Sequence, residues 1–313
     1  MNTAFIFPGQ GSQFVGMGRD LYNNFHIAKD IFHEVNDILS EKLTDIMFHG
    51  PEETLTLTKY AQLAIMVVSV TTAKILEYQI GKKCYQIANY AAGHSLGEYS
   101  ALCIVDSISF VEITKMLKVR ANAMHLAASN CDGGMVACLG VSLTELEPVI
   151  KRCAAEGICE IANNNIEGQI IISGHMKAMV LAMDILKAQG KKAVKLNVSG
   201  PFHSSLMASA TKKLKQVVEK ADVKTPKIPV IANYTADVVT TPAAIKNCLI
   251  NQVQGTVKWK ETLDLLQQKN ITHLVEIGPG KVLTNMAKKG KYLFECININ
   301  CIQEIDKFLN YIK

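Results

Sequence analysis

The stretch Tyr90-Ala-Ala-Gly-His-Ser-Leu-Gly-Glu-Tyr-Ser-Ala-Leu102 changes character at its middle. With the residues before it, its first part ("YQIANYAAG") reads as a strand running into Gly93, and a helix is expected from near Ser95. Gly93-His94-Ser95-Leu96-Gly97 is therefore a G-x-S-x-G pentapeptide between a strand and a helix. A serine on so sharp a turn projects its Oγ away from the sheet. The flanking glycines keep side chains clear, and the helix N-terminus offers free N–H groups and a positive dipole end. The chemical reading is an activated nucleophile; the plain one is an ordinary turn with Ser95 capping the helix.

The strand–turn–helix rhythm repeats outward from this point. Upstream, "TAFIF" reads as a strand leading into Phe7–Gly18, "FPGQGSQFVGMG". Two phosphate templates fail there. A dinucleotide fingerprint would need glycine where Phe14 stands, and a P-loop would need Lys and Ser/Thr where Met17 and Gly18 stand. Residues 20–49 and 60–80 carry apolar positions three and four apart and read as helices. Downstream, Met135–Val198 runs strand, helix, strand, strand, helix, strand, the βαββαβ order of a ferredoxin-like motif. After it come a strand at "PVIANY", helices around 242–254 and 259–269, a strand at "THLVEIG", and a C-terminal strand and helix. Alternation of this kind predicts an α/β fold with a mainly parallel sheet. The expected division is a large unit of residues 1–130 and 198–313, with a small ferredoxin-like unit, 131–197, inserted into it.

Composition narrows the classes. The chain has 313 residues, 49% of them apolar, with 8 prolines and a net charge of +5. That suits a globular enzyme with a sizeable core rather than a disordered or fibrous protein. The lysine clusters lack interleaved aromatics, so nucleic acid is not expected as a partner. No apolar run looks long enough to span a bilayer and no signal peptide stands out at the start, so no membrane is expected. Nine scattered cysteines form no C-x-x-C pair, which suits reduced, buried thiols in a cytoplasmic protein and no metal site.

A serine hydroxyl needs a base. His94 is adjacent, but on so tight a turn its ring points elsewhere. His203, in "VSGPFHSSLM", follows a strand and a Gly-Pro turn, at the end of the sheet where α/β sites collect. It is the best candidate base; a helix-capping histidine is the alternative. No acid stands out to orient it, so a Ser–His dyad is expected. On the helix from about Phe110 to Ala128, Ile113, Leu117, Arg120 and Met124 share one face, and Arg120 is the only charge on that apolar stripe. A buried guanidinium is costly unless paired. Its partner is either a core carboxylate or a carboxylate arriving with the substrate, for which arginine's rigid fork is suited.

Together, "FPGQGSQ", "AGHSLGEYSAL", the arginine of "KVRANAM", "NVSGPFHSSLM" and "EIGPGKVL" resemble the malonyl-CoA:acyl carrier protein transacylase family of bacterial type II fatty acid synthesis, in its order and spacing from Thr3 to about Lys289. The resemblance implies an α/β-hydrolase-like large subdomain beside the ferredoxin-like one. It implies Ser95 as the acylated nucleophile and His203 as general base. It further implies Arg120 as holder of the malonyl carboxylate, Gln252 as orienter of His203 through its backbone carbonyl, and the N–H groups of Gln10 and Leu96 as the oxyanion hole. Malonyl-CoA and acyl carrier protein would be the partners, with no metal or redox cofactor, and a monomer is the default expectation. Two stretches depart from the family pattern: Gln62-Leu63-Ala64 replaces Gln-Pro-Ala, and Asn165-Ile166-Glu167-Gly168-Gln169 replaces Asn-Ser-Pro-Gly-Gln.

Three rivals stand beside this expectation. A polyketide acyltransferase acting in trans would share the chemistry. A serine thioesterase or other hydrolase would use water as acceptor, but such enzymes keep their histidine near the chain's end, whereas more than a hundred residues follow His203 here. A silent carrier-protein-binding module would form no adduct.

Overall fold

The computed structural model describes residues 2–312. Among them the strands are β1 (Thr3–Phe7), β2 (Tyr90–Gly93), β3 (Gly133–Leu139), β4 (Cys159–Ile166), β5 (Gln169–His175), β6 (Lys192–Lys195), β7 (Val230–Ile231), β8 (Val238–Val239), β9 (Val257–Lys258), β10 (His273–Ile277) and β11 (Glu295–Ile299). Six of them form one sheet in the order β11-β10-β1-β2-β7-β8, parallel except for β8 at its edge. All five residues of β1 are buried, as a parallel strand covered on both faces requires. Phe7 pairs with Gly93, so the loop after β1 and the pentapeptide after β2 leave the sheet side by side at its carboxyl end.

The second sheet has the order β6-β3-β5-β4-β9. Its first four strands are antiparallel and are joined by helices Leu143–Cys153 and Met176–Ala188, which completes the ferredoxin-like unit. A capping box opens the first of these helices: the Ser142 hydroxyl accepts from the Glu145 N–H while the Glu145 carboxylate accepts from the Ser142 N–H. Val136, Leu146, Val149, Ile172 and Met179 share this unit's own core. The fifth strand, β9, comes from later in the chain and pairs parallel with β4, Asn163 opposite Val257 and Asn164 opposite Lys258.

Three expectations need correcting. The helix read over 20–49 is three helices, Arg19–Asn24, His26–Leu39 and Leu43–His49. The breaks fall at extended Phe25 and at left-handed Ser40, neither of which is a glycine or proline that would announce them. The strand read from Tyr85 starts only at Tyr90, after a 3-10 turn at Cys84–Gln86. Helix Thr58–Ile80 is, by length and apolar composition, long enough to cross a membrane, but most of it is buried inside the protein. It packs against helices on several sides, so its apolar residues run all round rather than along one stripe.

The turn after β2 depends on missing side chains. A Cβ on Gly93 would stand 2.0 Å from the Gly97 carbonyl carbon, and one on Gly97 would stand 2.2 Å from the Phe7 carbonyl oxygen. Both obstacles are backbone. Gly97→Ala should therefore lower stability by about 1–3 kcal/mol, read as a lower urea midpoint at unchanged slope.

Candidate active site

Ser95 sits at φ 52°, in the left-handed region, and the helix that follows begins only at Gly97. The reading of Ser95 as a helix cap is thus not what the structure has. Such a backbone costs of order 1–3 kcal/mol and persists only where its surroundings hold it. Here the Ser95 N–H donates to Asn233 Oδ1 at 2.6 Å, and the Ser95 carbonyl accepts from Gln252 Nε2 at 3.0 Å. Asn233 Nδ2 also donates to the Gly93 carbonyl at 2.6 Å, clamping both sides of the turn. The Ser95 hydroxyl is left facing the cleft, 2.8 Å from His203 Nε2.

His203 lies between the small antiparallel unit and helix Ala208–Lys220, itself at φ 55°. Its Nδ1 is 2.9 Å from the Gln252 carbonyl oxygen, an acceptor that fixes the proton on Nδ1. Nε2 is then the acceptor for the Ser95 hydroxyl. Burial, followed by the nearby Arg120 charge, lowers the imidazole pKa to about 3. The ring is therefore a neutral proton acceptor at physiological pH. His94, the sequence neighbour of the serine, turns away: its Nε2 lies 3.0 Å from Asn165 Oδ1 and its ring meets Trp259 edge-on.

Helix Phe110–Ser129 carries Arg120 into the same cleft, 1% exposed. Nη1 donates to Gln62 Oε1 at 2.5 Å, and Nη2 donates to Ser95 Oγ and to Gln252 Oε1, both at 3.0 Å. The Tyr99 ring lies 5.5 Å from the guanidinium carbon. Among the described residues every hydrogen-bond acceptor of this cation is neutral, and its Nε has none.

These groups open into a cavity of about 340 Å³ whose lining includes Gln10, Ser95, Leu96, Arg120 and His203. Among the described residues, neither the Gln10 N–H nor the Leu96 N–H donates to a protein acceptor. The Gln10 loop lies against the elbow because Gly9 has no side chain: a Cβ there would stand 2.6 Å from the His94 carbonyl oxygen. Gln252 is wholly buried, at the C-terminal end of helix Pro242–Gln252. All six residues singled out from the sequence thus meet at one site.

Comparison with known proteins identifies the family. The acyl transferase domain model matches residues 4–294. A malonyl CoA-acyl carrier protein transacylase of Bacillus subtilis is 39% identical over 99% of this chain and 97% of its own. The chain belongs to the malonyl CoA-acyl carrier protein transacylase family. The solved acyl-carrier-protein-S-malonyltransferase of Bartonella henselae superposes on this transacylase-family chain with a TM-score of 0.96 at 40% identity, covering 100% of this chain and 99% of that one. A malonyl-transacylase solved in complex with its type II PKS acyl-carrier protein reaches 0.94 at 33% identity, covering 99% and 100%.

The sequence reading of this transacylase-family site missed its polar support. Gln62, on the stretch that departs from the family pattern, is the Nη1 partner of Arg120. Asn233 anchors the elbow, and the side chain of Gln252 does as much as its carbonyl. Glu98, 1% exposed, accepts from the Asn233 N–H at 2.9 Å and from Gln252 Nε2 at 2.8 Å. Burial pushes its pKa up to about 7, against the pull of those two donors and of Arg120. Glu98 stood in the quoted pentapeptide's shadow, as a carboxylate on an otherwise buried helix. That was the one available signal.

Proposed function

We propose that this protein moves a malonyl group from malonyl-CoA to the phosphopantetheine thiol of an acyl carrier protein through a malonyl-Ser95 ester. The observation that carries the reading is the buried Arg120 guanidinium, 3.0 Å from the Ser95 hydroxyl and held only by neutral acceptors. A guest carboxylate supplies the missing charge. Nη2 then turns from Ser95 Oγ to the carboxylate, which frees the hydroxyl for attack. His203 takes the hydroxyl proton at Nε2 as Oγ adds to the thioester carbon. The N–H groups of Gln10 and Leu96 receive the developing oxyanion, worth roughly 3–4 kcal/mol each. Coenzyme A leaves with the proton. The carrier thiol then attacks the ester, giving its proton to His203, and Ser95 is regenerated.

These steps call on no metal or redox cofactor. We read residues 131–197 as an insertion in a catalytic unit of 1–130 and 198–313, and the nine free cysteines favour a cytoplasmic location. A second reading keeps the chemistry and changes the acceptor to a polyketide carrier protein; it is favoured by the similarity to a malonyl-transacylase solved with such a carrier.

Incubation with malonyl-CoA should add one malonyl mass to the intact protein and none to Ser95→Ala; an adduct on that variant overturns the nucleophile. Arg120→Ala should narrow or reverse the preference for malonyl-CoA over acetyl-CoA, and an unchanged ratio of kcat/KM values would remove the carboxylate role. Because burial and Arg120 hold the imidazole neutral, its basic form survives as pH falls. The kcat/KM for malonyl transfer should stay level from pH 8 to about pH 5, with no step near the ordinary histidine value of about 6.5. A step there would show that a group titrating near that value, a histidine in another environment or the Glu98 carboxyl, governs the reaction.

A further inference from the structure

The reading above uses Ser95, His203, Arg120 and the two free N–H groups, and leaves a buried carboxylate unexplained. Glu98 lies in the first turn of helix Gly97–Ile104 and touches neither the serine hydroxyl nor the guanidinium by hydrogen bond. Its Oε2 accepts from one group on each of two residues that hold the serine turn or the guanidinium. One is the backbone N–H of Asn233, whose side chain clamps the elbow. The other is Nε2 of Gln252, whose Oε1 accepts from Arg120 and whose carbonyl accepts from His203.

A glutamine amide has one donating and one accepting end, and reversing it exchanges them. Gln252 Nε2 faces three acceptors, Glu98 Oε2 at 2.8 Å, the Ser95 carbonyl at 3.0 Å and, more distantly, Asn233 Oδ1 at 3.5 Å. Its Oε1 faces the Arg120 Nη2 donor at 3.0 Å. The reversed amide would set oxygen against three oxygens and NH2 against the guanidinium. Without Glu98 the amide loses its closest acceptor, and its sense is left to the Ser95 carbonyl, the more distant Asn233 Oδ1 and the guanidinium. We infer that Glu98 is a positioning residue: as an acceptor it fixes the sense of the Gln252 amide, and so gives Arg120 its oriented neutral partner beside the nucleophile. The inference rests on the malonyl reading for its effect on substrate choice, and on geometry alone for the pairing of positions 98 and 252.

Glu98→Met removes the acceptor at similar volume, and Glu98→Gln keeps an amide oxygen in its place. The methionine variant should lose about 10- to 100-fold in kcat/KM for malonyl transfer, the range for a buried donor left without its partner. Its malonyl-over-acetyl ratio should narrow, while Glu98→Gln retains the ratio within about threefold. A folded Glu98→Met protein with the wild-type ratio, or a Glu98→Gln protein as impaired as the methionine variant, overturns the inference. Should Glu98→Met not fold, an exchange decides. Gln252→Glu sets two carboxyl groups against each other, and adding Glu98→Gln restores a donor–acceptor pair. The double variant should melt above Gln252→Glu alone, and a midpoint no higher overturns the inference. Wild-type protein is run with malonyl-CoA alongside. Absence of its adduct sinks the malonyl reading, and the melting comparison then decides the role of Glu98 by itself.

Discussion

Removing a guanidinium from water costs several kcal/mol unless something compensates the charge. Arg120 is compensated only in part, by two glutamine oxygens, one hydroxyl and the face of a tyrosine ring. Each of these is a dipole or a quadrupole, and together they hold the cation in position without cancelling it. A carboxylate in their place would give a more self-sufficient ion pair and a site with no appetite for an acidic guest. The surrounding architecture follows from this choice. The helix bearing Arg120 must lie close to the elbow, and the residues that hold the guanidinium must themselves be held.

The elbow supplies the second constraint. Its left-handed serine leaves the hydroxyl facing the cleft, and it can exist only because backbone passes within contact distance of Gly93 and Gly97. Asn233 and Gln252, from elements far along the chain, supply the polar bonds that offset the strain. His203 shares this dependence, since one carbonyl decides which of its nitrogens can accept a proton. Nucleophile, base and cation therefore meet at Gln252, through three different atoms of one residue.

Much of this was legible from the sequence, for reasons that can be named. A strand–glycine–serine–glycine–helix pattern announces its own geometry. A lone arginine on an apolar stripe announces that it will be buried, and βαββαβ is read directly from hydrophobic periodicity. His203 stood out by its place after a strand and a Gly-Pro turn, whereas the assignments to Gln252, Gln10 and Leu96 leaned on family resemblance. Asn233 and Gln62 were hidden because a single amide carries no period and its importance arises only from contacts across the fold. The breaks at Phe25 and Ser40 were hidden because tertiary packing, rather than glycine or proline, ends those helices. The fifth strand of the small sheet was invisible for a similar reason, being two residues long and paired with a segment almost a hundred positions away.

That short strand has a mechanical consequence. Lys258 pairs with Asn164 in β4, and its N–H also donates to the carbonyl of Asn233, the residue that clamps the serine turn. The floor and the roof of the cleft are thus stitched by main-chain bonds at a seam one residue from the nucleophile's anchor. A clamshell motion between the two units would tear that seam and loosen the turn with it. The width of the slot that a thioester's slender arm must enter is therefore tied, through these main-chain bonds, to the conformation of the serine turn.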